Sequence, residues 1–132
     1  MLTRQEALLR GITLCVAVLF VWLGLWFTLQ PHAVEALYPM SLNAPMAISE
    51  IRAIFGGLMI GIGGSVLVLD LIYGRRRDAA MVLASVTAGL ILARLVGLSG
   101  EGFPSGPVLN ETIFEIVLLT LLVSLGAFHR TA

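Results

Sequence analysis

Four long apolar runs constrain the fold of this chain more than any other feature. They cover roughly residues 11–29, 51–73, 79–98 and 112–128. Each is long enough for a helix of about 20 residues, which is the length needed to cross a bilayer. Transmembrane β-strands would be shorter and would alternate apolar with polar residues. The sequence therefore predicts an all-α membrane protein with four transmembrane helices in an up-down bundle, forming a single domain over residues 1–132.

The composition also indicates a membrane protein. Hydrophobic residues make up 58% of the 132 residues, charged residues make up 12%, and the mean hydropathy is +1.00. Soluble domains contain about 25% charged residues. Acidic and basic residues are equal in number, and no basic face with base-stacking groups is present, so nucleic acid is not an expected partner. The single cysteine, Cys15, lies among apolar residues and is expected to be a buried, unreactive thiol.

The positions of the arginines predict the orientation of the chain. Two arginines precede the first run, three lie in the connection at residues 74–78, and one follows the fourth run. The opposite loops, residues 30–49 and 99–110, contain neither Arg nor Lys. Because basic residues are enriched in cytoplasmic loops, both termini are predicted to be cytoplasmic. The expected location is the cell inner membrane, crossed several times, with the lipid bilayer as the first partner.

Charged residues within or beside the apolar runs are the candidates for a functional site. Glu50 and Arg52 open the second run, Arg94 lies in the third and Glu115 in the fourth. A charge in hydrocarbon costs about 2.5–3.5 kcal/mol on insertion scales, so such groups usually pair within a bundle. The predicted topology places all four at one shallow level near the outer side. We expect a network in which Arg94 pairs with Glu115, and Arg52 pairs with Glu50 or Glu115.

Other polar residues extend this expected cluster or lie apart from it. Glu101, Glu111 and His32 are predicted to form a lid or rim at the outer side. Asp70 lies near the opposite end of the second helix and is expected to pair with Arg10 or with the arginines in the connection at residues 74–78. The predicted cluster could be structural, fixing the register of the helices, or it could be a polar pocket for a ligand or partner.

Glycines of the second helix predict close packing against a neighbour. They are Gly56, Gly57, Gly61 and Gly64. Small residues let helix backbones approach each other in lipid, where no hydrophobic effect drives association. The spacing favours a centrally packed helix within one chain, and a homodimer contact is the alternative.

The sequence contains no motif for catalysis, for a metal or for a cofactor. The two histidines, His32 and His129, fall on opposite sides of the predicted membrane, and one cysteine cannot form a thiolate metal site. No nucleophile elbow, phosphate loop or HExxH motif is present. We therefore expect no metal and no cofactor. A non-enzymatic protein is favoured, and a site made of carboxylates alone stays open.

Several motifs carry a resemblance to a known family. They are the Glu-x-Arg before a double glycine at residues 50–57, Arg94 followed by Gly97, Glu101 followed by Gly102, and Glu115. In these motifs the chain resembles an uncharacterised bacterial family of small four-helix integral membrane proteins, a domain of unknown function. The resemblance covers nearly the whole chain and implies the four-helix fold and the outer cluster, but no activity. The chain is also distantly similar to DoxX-like membrane subunits, which are linked to quinone or redox partners.

Three functions are compatible with these features. The first is a binding module or accessory subunit, whose outer polar cluster holds a lipid, a quinone or a membrane protein partner. The second is a small-molecule transporter, although the first helix has no acidic residue and Arg52 and Arg94 would repel cationic substrates. The third is a quinone-linked redox accessory subunit, in which an apolar cleft with a few polar groups holds the quinone headgroup.

Overall fold

The chain folds into a set of helices. The computed structural model describes residues 3–101 and 106–127, and every regular element in these ranges is helical. The helices are α1 (Arg4–Leu29), α2 (Ala33–Leu37), α3 (Pro45–Ile72), α4 (Arg76–Glu101) and α5 (Pro107–Ser124). Two stretches of α3 are π-helical, Arg52–Leu58 and Val68–Ile72. The predicted all-α fold is therefore confirmed for the described residues.

Three helices are long and apolar enough to cross a membrane. By length and composition, and within the described residues, they are Arg4–Leu29, Pro45–Ile72 and Arg76–Gly97. Large apolar side chains on their outer faces are exposed, including Trp22 (57%) and Leu92 (62%). An extensive apolar exterior of this kind is typical of a surface that meets lipid or another protein. The structure thus agrees with the prediction of a membrane protein at the level of three helices that could span a bilayer.

The helices begin earlier than the sequence predicted. The predicted segments were 11–29, 51–73, 79–98 and 112–128. Helix α1 begins before residue 11 because Thr3 and Glu6 form a capping box, in which each side chain accepts a hydrogen bond from the other residue's backbone N–H. Helices α3 and α5 begin with Pro45 and Pro107, which suit the first helical turn. Apolar length alone therefore underestimates helices that begin before the continuous apolar run.

The two ends of the helices differ in chemistry. At the basic end, the start of α1, residues 74–78 and the end of α5 line a common cavity. At the opposite end, called the loop end, residues 30–44 connect α1 to α3. Val34 and Leu42 of this connection are buried and belong to one apolar cluster with Phe27 and Ile51. The connection is therefore packed against the helices rather than extended away from them.

Helices α1 and α3 approach most closely at glycines. A Cβ atom on Gly63 would lie 2.5 Å from the carbonyl oxygen of Ala17, and one on Gly24 would lie 2.7 Å from the carbonyl oxygen of Gly56. The space beside Gly56 is taken by Thr28. Two helix backbones can come this close only where no side chain separates them. The pairing of these residues also shows that α1 and α3 are antiparallel.

Three of the four predicted close-packing glycines make no close contact with another helix within the described residues, and a contact with a second copy of the chain stays a prediction for them. They are Gly57, Gly61 and Gly64. The nearest atom to a Cβ on the first belongs to α3 itself, and nothing lies within 4 Å at the other two. Gly56 and Gly63 make the contact instead, and their spacing of two helical turns puts them on one face. The pair Gly57 and Gly61, which are four residues apart, lies on an adjacent face.

Cys15 is exposed, so the prediction of a buried thiol is wrong. The buried residues around it are Thr13, Val16 and Ala17, which face the interior of the structure. Cys15 lies between them in the sequence, but on the outer side of α1. An apolar neighbourhood in the sequence does not distinguish a residue that faces lipid from one that faces another helix.

An ion pair joins α1 and α3 near the basic end. The Nε of Arg10 donates a hydrogen bond to Oδ1 of Asp70 at 2.8 Å, which confirms one of the two predicted pairings for Asp70. The side chain of Asp70 has no exposed surface. Its other oxygen, Oδ2, has no hydrogen-bond partner among the described residues. Arg10 thus supplies the positive charge that a buried carboxylate requires.

Replacing Gly63 by Ala should lower the free energy of unfolding by about 1–3 kcal/mol, because the added methyl group would overlap the α1 backbone. Gly61→Ala is the matched control, since the same change there meets no atom within 4 Å. It should be neutral or stabilising by up to about 1 kcal/mol, because alanine favours helix more than glycine does. Thermal unfolding in detergent checks both variants. Equal unfolding temperatures for the two would contradict the observed contact.

Candidate functional site

The loop end brings two of the four predicted charges into direct contact. The Nε of Arg94 in α4 donates to Oε2 of Glu115 in α5 at 2.8 Å, and its Nη2 donates to Oε1 at 2.9 Å. The same Nη2 donates to Oε2 of Glu111 at 3.1 Å. A guanidinium fork that meets a carboxylate at both oxygens is among the strongest hydrogen-bonded pairs in proteins. This contact ties α4 to α5.

Tyr38 extends this contact into the connection between α1 and α3. Its hydroxyl donates a hydrogen bond to Oε1 of Glu111. Its ring lies beside Phe55 of α3, with 6.2 Å between ring centroids. Burial raises the pKa of the Tyr38 hydroxyl, and the hydrogen bond to Glu111 raises this pKa further. We call Tyr38, Arg94, Glu111 and Glu115 the polar network; it joins α4, α5 and the loop-end connection.

Tyr38 was not among the residues that the sequence predicted for a site. A tyrosine with an apolar ring and a polar hydroxyl suits the boundary between membrane and water. That preference could have marked Tyr38 as a residue at the end of a helix. Nothing in the sequence indicates that it meets Glu111, which is distant along the chain.

Glu50 and Arg52 do not belong to the polar network. Both residues are exposed, and neither side chain has a hydrogen bond or ion pair with another described residue. The expected pairing of Arg52 with Glu50 or Glu115 is therefore wrong. The reason lies in the packing: this part of α3 rests against α1, whereas the network is built on α4 and α5. Of the four predicted charges, Arg94 and Glu115 thus lie in contact, whereas Glu50 and Arg52 lie apart from them.

The predicted rim residues have different surroundings. Nδ1 of His32 lies 2.9 Å from Oε2 of Glu35, and the backbone N–H of Leu42 donates to the other Glu35 oxygen at 2.6 Å. The hydrogen bond from Leu42, followed by the one with His32, holds the pKa of Glu35 below its usual value. Glu111 is part of the polar network. Glu101 ends α4, and its side chain lies outside the described residues.

Arg52 lines a cavity of about 730 Å³ at the loop end. This loop-end cavity lies between the start of α3 and the residues that follow α1. Gln30, His32 and Ser49 supply further polar groups, and Leu29 and Ile48 supply apolar wall. The volume falls within the range of small-molecule sites, which are commonly apolar with a few polar groups that orient the ligand. The cavity was not predicted, because its walls come from distant parts of the chain.

The polar network and the loop-end cavity differ in what their charged residues can do chemically. In the polar network, the carboxylates of Glu111 and Glu115 both accept hydrogen bonds from Arg94. Arg94 therefore holds α4 and α5 together. In the loop-end cavity, Arg52 offers guanidinium donors to whatever occupies the space. Within residues 3–101 and 106–127, no group of three or more His, Cys, Asp or Glu residues could hold a metal ion.

Replacing Arg94 by Leu should lower the free energy of unfolding by about 2–3 kcal/mol, because Glu115 would remain nearly buried without its partner. The double variant Arg94→Leu/Glu115→Leu should recover most of this loss, since the unpaired charge is then gone. Thermal unfolding in detergent measures both. An Arg94→Leu variant as stable as the wild type would show that the polar network does not hold α4 to α5.

Tyr38 should remain protonated near pH 10, where a free tyrosine ionises, because burial and Glu111 both disfavour the phenolate. The wild type and Tyr38→Phe should therefore have the same phenolate absorbance at about pH 10. In Glu111→Gln, Tyr38 should ionise at a lower pH than in the wild type. Since the pKa is higher in the folded state, stability is retained below about pH 10 and falls as the pH rises further. Greater absorbance in the wild type than in Tyr38→Phe near pH 10 would contradict this.

Comparison with known proteins places the chain in a family. A family model described as "Domain of unknown function (DUF4345)" matches residues 8–125. The matched range contains the polar network, the loop-end cavity and the Arg10–Asp70 pair. No curated protein matches the chain significantly, and no solved structure does. Because the family model covers most of the chain, the chain belongs to the family of the domain of unknown function DUF4345.

Proposed function

We propose that this chain is a four-helix integral membrane protein and that α5 is its fourth span. Helix α5 has 18 residues, which correspond to about 27 Å of helix. This length is close to the roughly 30 Å thickness of the hydrocarbon core. The two carboxylates near its start, Glu111 and Glu115, are hydrogen-bonded to Arg94, which lowers the cost of placing them near lipid.

In this proposal both termini are cytoplasmic, and the membrane is the cell inner membrane. Arginines of the start of α1 and of residues 74–78 lie at the basic end. The connection at residues 30–44 contains no Arg or Lys. The tendency of basic residues to remain in the cytoplasm supports placing the basic end there and the loop end outside.

The proposed activity is non-enzymatic binding of a small ligand in the loop-end cavity. One observation carries this proposal: Arg52 lines the cavity, and no acidic partner for it lies among the described residues. A guanidinium at the edge of a membrane gains most from a ligand that supplies the missing acceptor. Arg52 also begins a π-helical stretch, a distortion of α3 that is frequent at functional sites.

The walls of the cavity indicate the class of ligand. Arg52 and Gln30 can donate hydrogen bonds, whereas Leu29 and Ile48 offer apolar contact. The complementary ligand has an acidic or hydrogen-bond-accepting head and an apolar body. Lipids and quinones are membrane compounds of this class, and they are the candidates for the first experiment. The polar network then serves to hold α4 to α5.

Replacing Arg52 by Gln should reduce the amount of co-purifying ligand at least tenfold, because a hydrogen bond to a charged group contributes about 1.5–3 kcal/mol. The protein would be purified in mild detergent, and bound small molecules would be identified by mass spectrometry. Glu50→Gln is the matched control, since Glu50 is also exposed on α3 but does not line the cavity. It should retain the ligand as the wild type does.

Two results would count against the proposed function. Wild-type protein recovered with no small molecule bound would contradict a binding module. Equal retention by Arg52→Gln and the wild type would show that the loop-end cavity is not the binding site. The Arg52 and Glu50 variants remove one charge each from exposed positions, so folding should be preserved, and circular dichroism checks this.

A further inference from the structure

A second cavity, also of about 730 Å³, lies at the basic end. Among the described residues, four arginines line it: Arg10, Arg75, Arg76 and Arg77. Of the described residues in its wall, Glu6 and Asp78 are the two carboxylates. Counting Asp70, which is buried behind Arg10, the arginines still outnumber the carboxylates by four to three. The described wall of the basic-end cavity therefore has an excess of positive charge.

Asp70 holds Arg10 in a position that leaves donors available to this cavity. It accepts a hydrogen bond from Nε of Arg10 and from no other atom of that guanidinium. The side chain of Asp70 is fully buried, whereas that of Arg10 is 30% exposed. The side chain of Arg10 makes no further hydrogen bond within the described part of the chain. Its two terminal nitrogens can therefore donate to a molecule in the cavity, with Asp70 as a positioning residue.

Arg75 and Arg76, just before and at the start of α4, add two more cationic groups to the wall. Arg75 donates from Nε to Asp78, so its terminal nitrogens are not used in that bond. Arg76 is exposed and has no ion pair within residues 3–101 and 106–127. The amino-terminal end of α4 carries the positive end of the helix dipole, which favours an anion at the same place.

We propose that the basic-end cavity is an anion site that takes a phosphate group. Guanidinium forks match the geometry of phosphate oxygens, and several forks around one space favour a tetrahedral anion with many acceptors. Leu9 and Leu125 in the wall add apolar surface beside the charged groups. The phosphate can belong to a lipid headgroup or to a soluble anion. This site is separate from the loop-end cavity and does not depend on the function proposed there.

The test uses the full chain in mild detergent with two probes. Phosphatidylglycerol, with phosphatidylcholine as the zwitterionic comparison, is counted by native mass spectrometry. Inorganic phosphate is measured by equilibrium dialysis. The wild type should bind one of these anions, and Arg76→Gln should weaken that binding about fivefold or more, the effect expected of one basic residue near an anionic surface. Loss of phosphatidylglycerol indicates a lipid source, and loss of inorganic phosphate indicates a soluble one.

One control variant separates the cavity from general positive charge. Arg4→Gln removes the same charge from an exposed residue of the basic end that does not line the cavity. It should bind the anion within about twofold of the wild type. The proposal is overturned if Arg4→Gln weakens binding as much as Arg76→Gln does, or if the wild type binds neither probe. Since these tests read a different cavity, their failure leaves the loop-end site unaffected.

Discussion

The contact between α1 and α3 at Gly24, Gly56 and Gly63 is the feature on which the rest of the structure depends. Helices in lipid gain little from the hydrophobic effect, so their association depends on close packing and on polar contacts. At these glycines one backbone lies directly against the other. This contact places Arg10 beside Asp70 at the basic end. At the loop end it sets the distance between the residues that follow α1 and the start of α3, where the cavity lies.

The charges of the helices divide into those that are satisfied within the chain and those that are not. Arg94 donates hydrogen bonds to two carboxylates, so these charges stabilise the contact between helices. Arg52 and Arg76 are exposed and line cavities. A charge that the fold does not neutralise is available to a ligand, and this difference directs the two proposed sites to opposite ends of the molecule.

Much of the fold could be predicted from the sequence, but only part of the candidate site could. The all-α fold follows from apolar length, and the scarcity of charges in the helices made Arg10 one of two predicted partners for Asp70. The pairing of Arg52 was mispredicted because two arginines and two glutamates near one end can be joined in several ways. Tyr38 was missed because its partner Glu111 is distant in the sequence. The glycine face was misplaced because apolar neighbours surround every side of α3.

The sequence by itself determined the class of structure and the residues that needed an explanation. Length and apolarity require helices, and a charge in an apolar helix requires a partner or a ligand. Only the tertiary structure decided which charges have a partner within the chain and which are left for a ligand, because the packing of the helices sets the partners. Gly63 rather than Gly61 faces α1, so α3 is rotated to expose Arg52 to a cavity rather than to Glu115. That rotation depends on side-chain contacts between helices, which hydrophobic pattern alone does not specify.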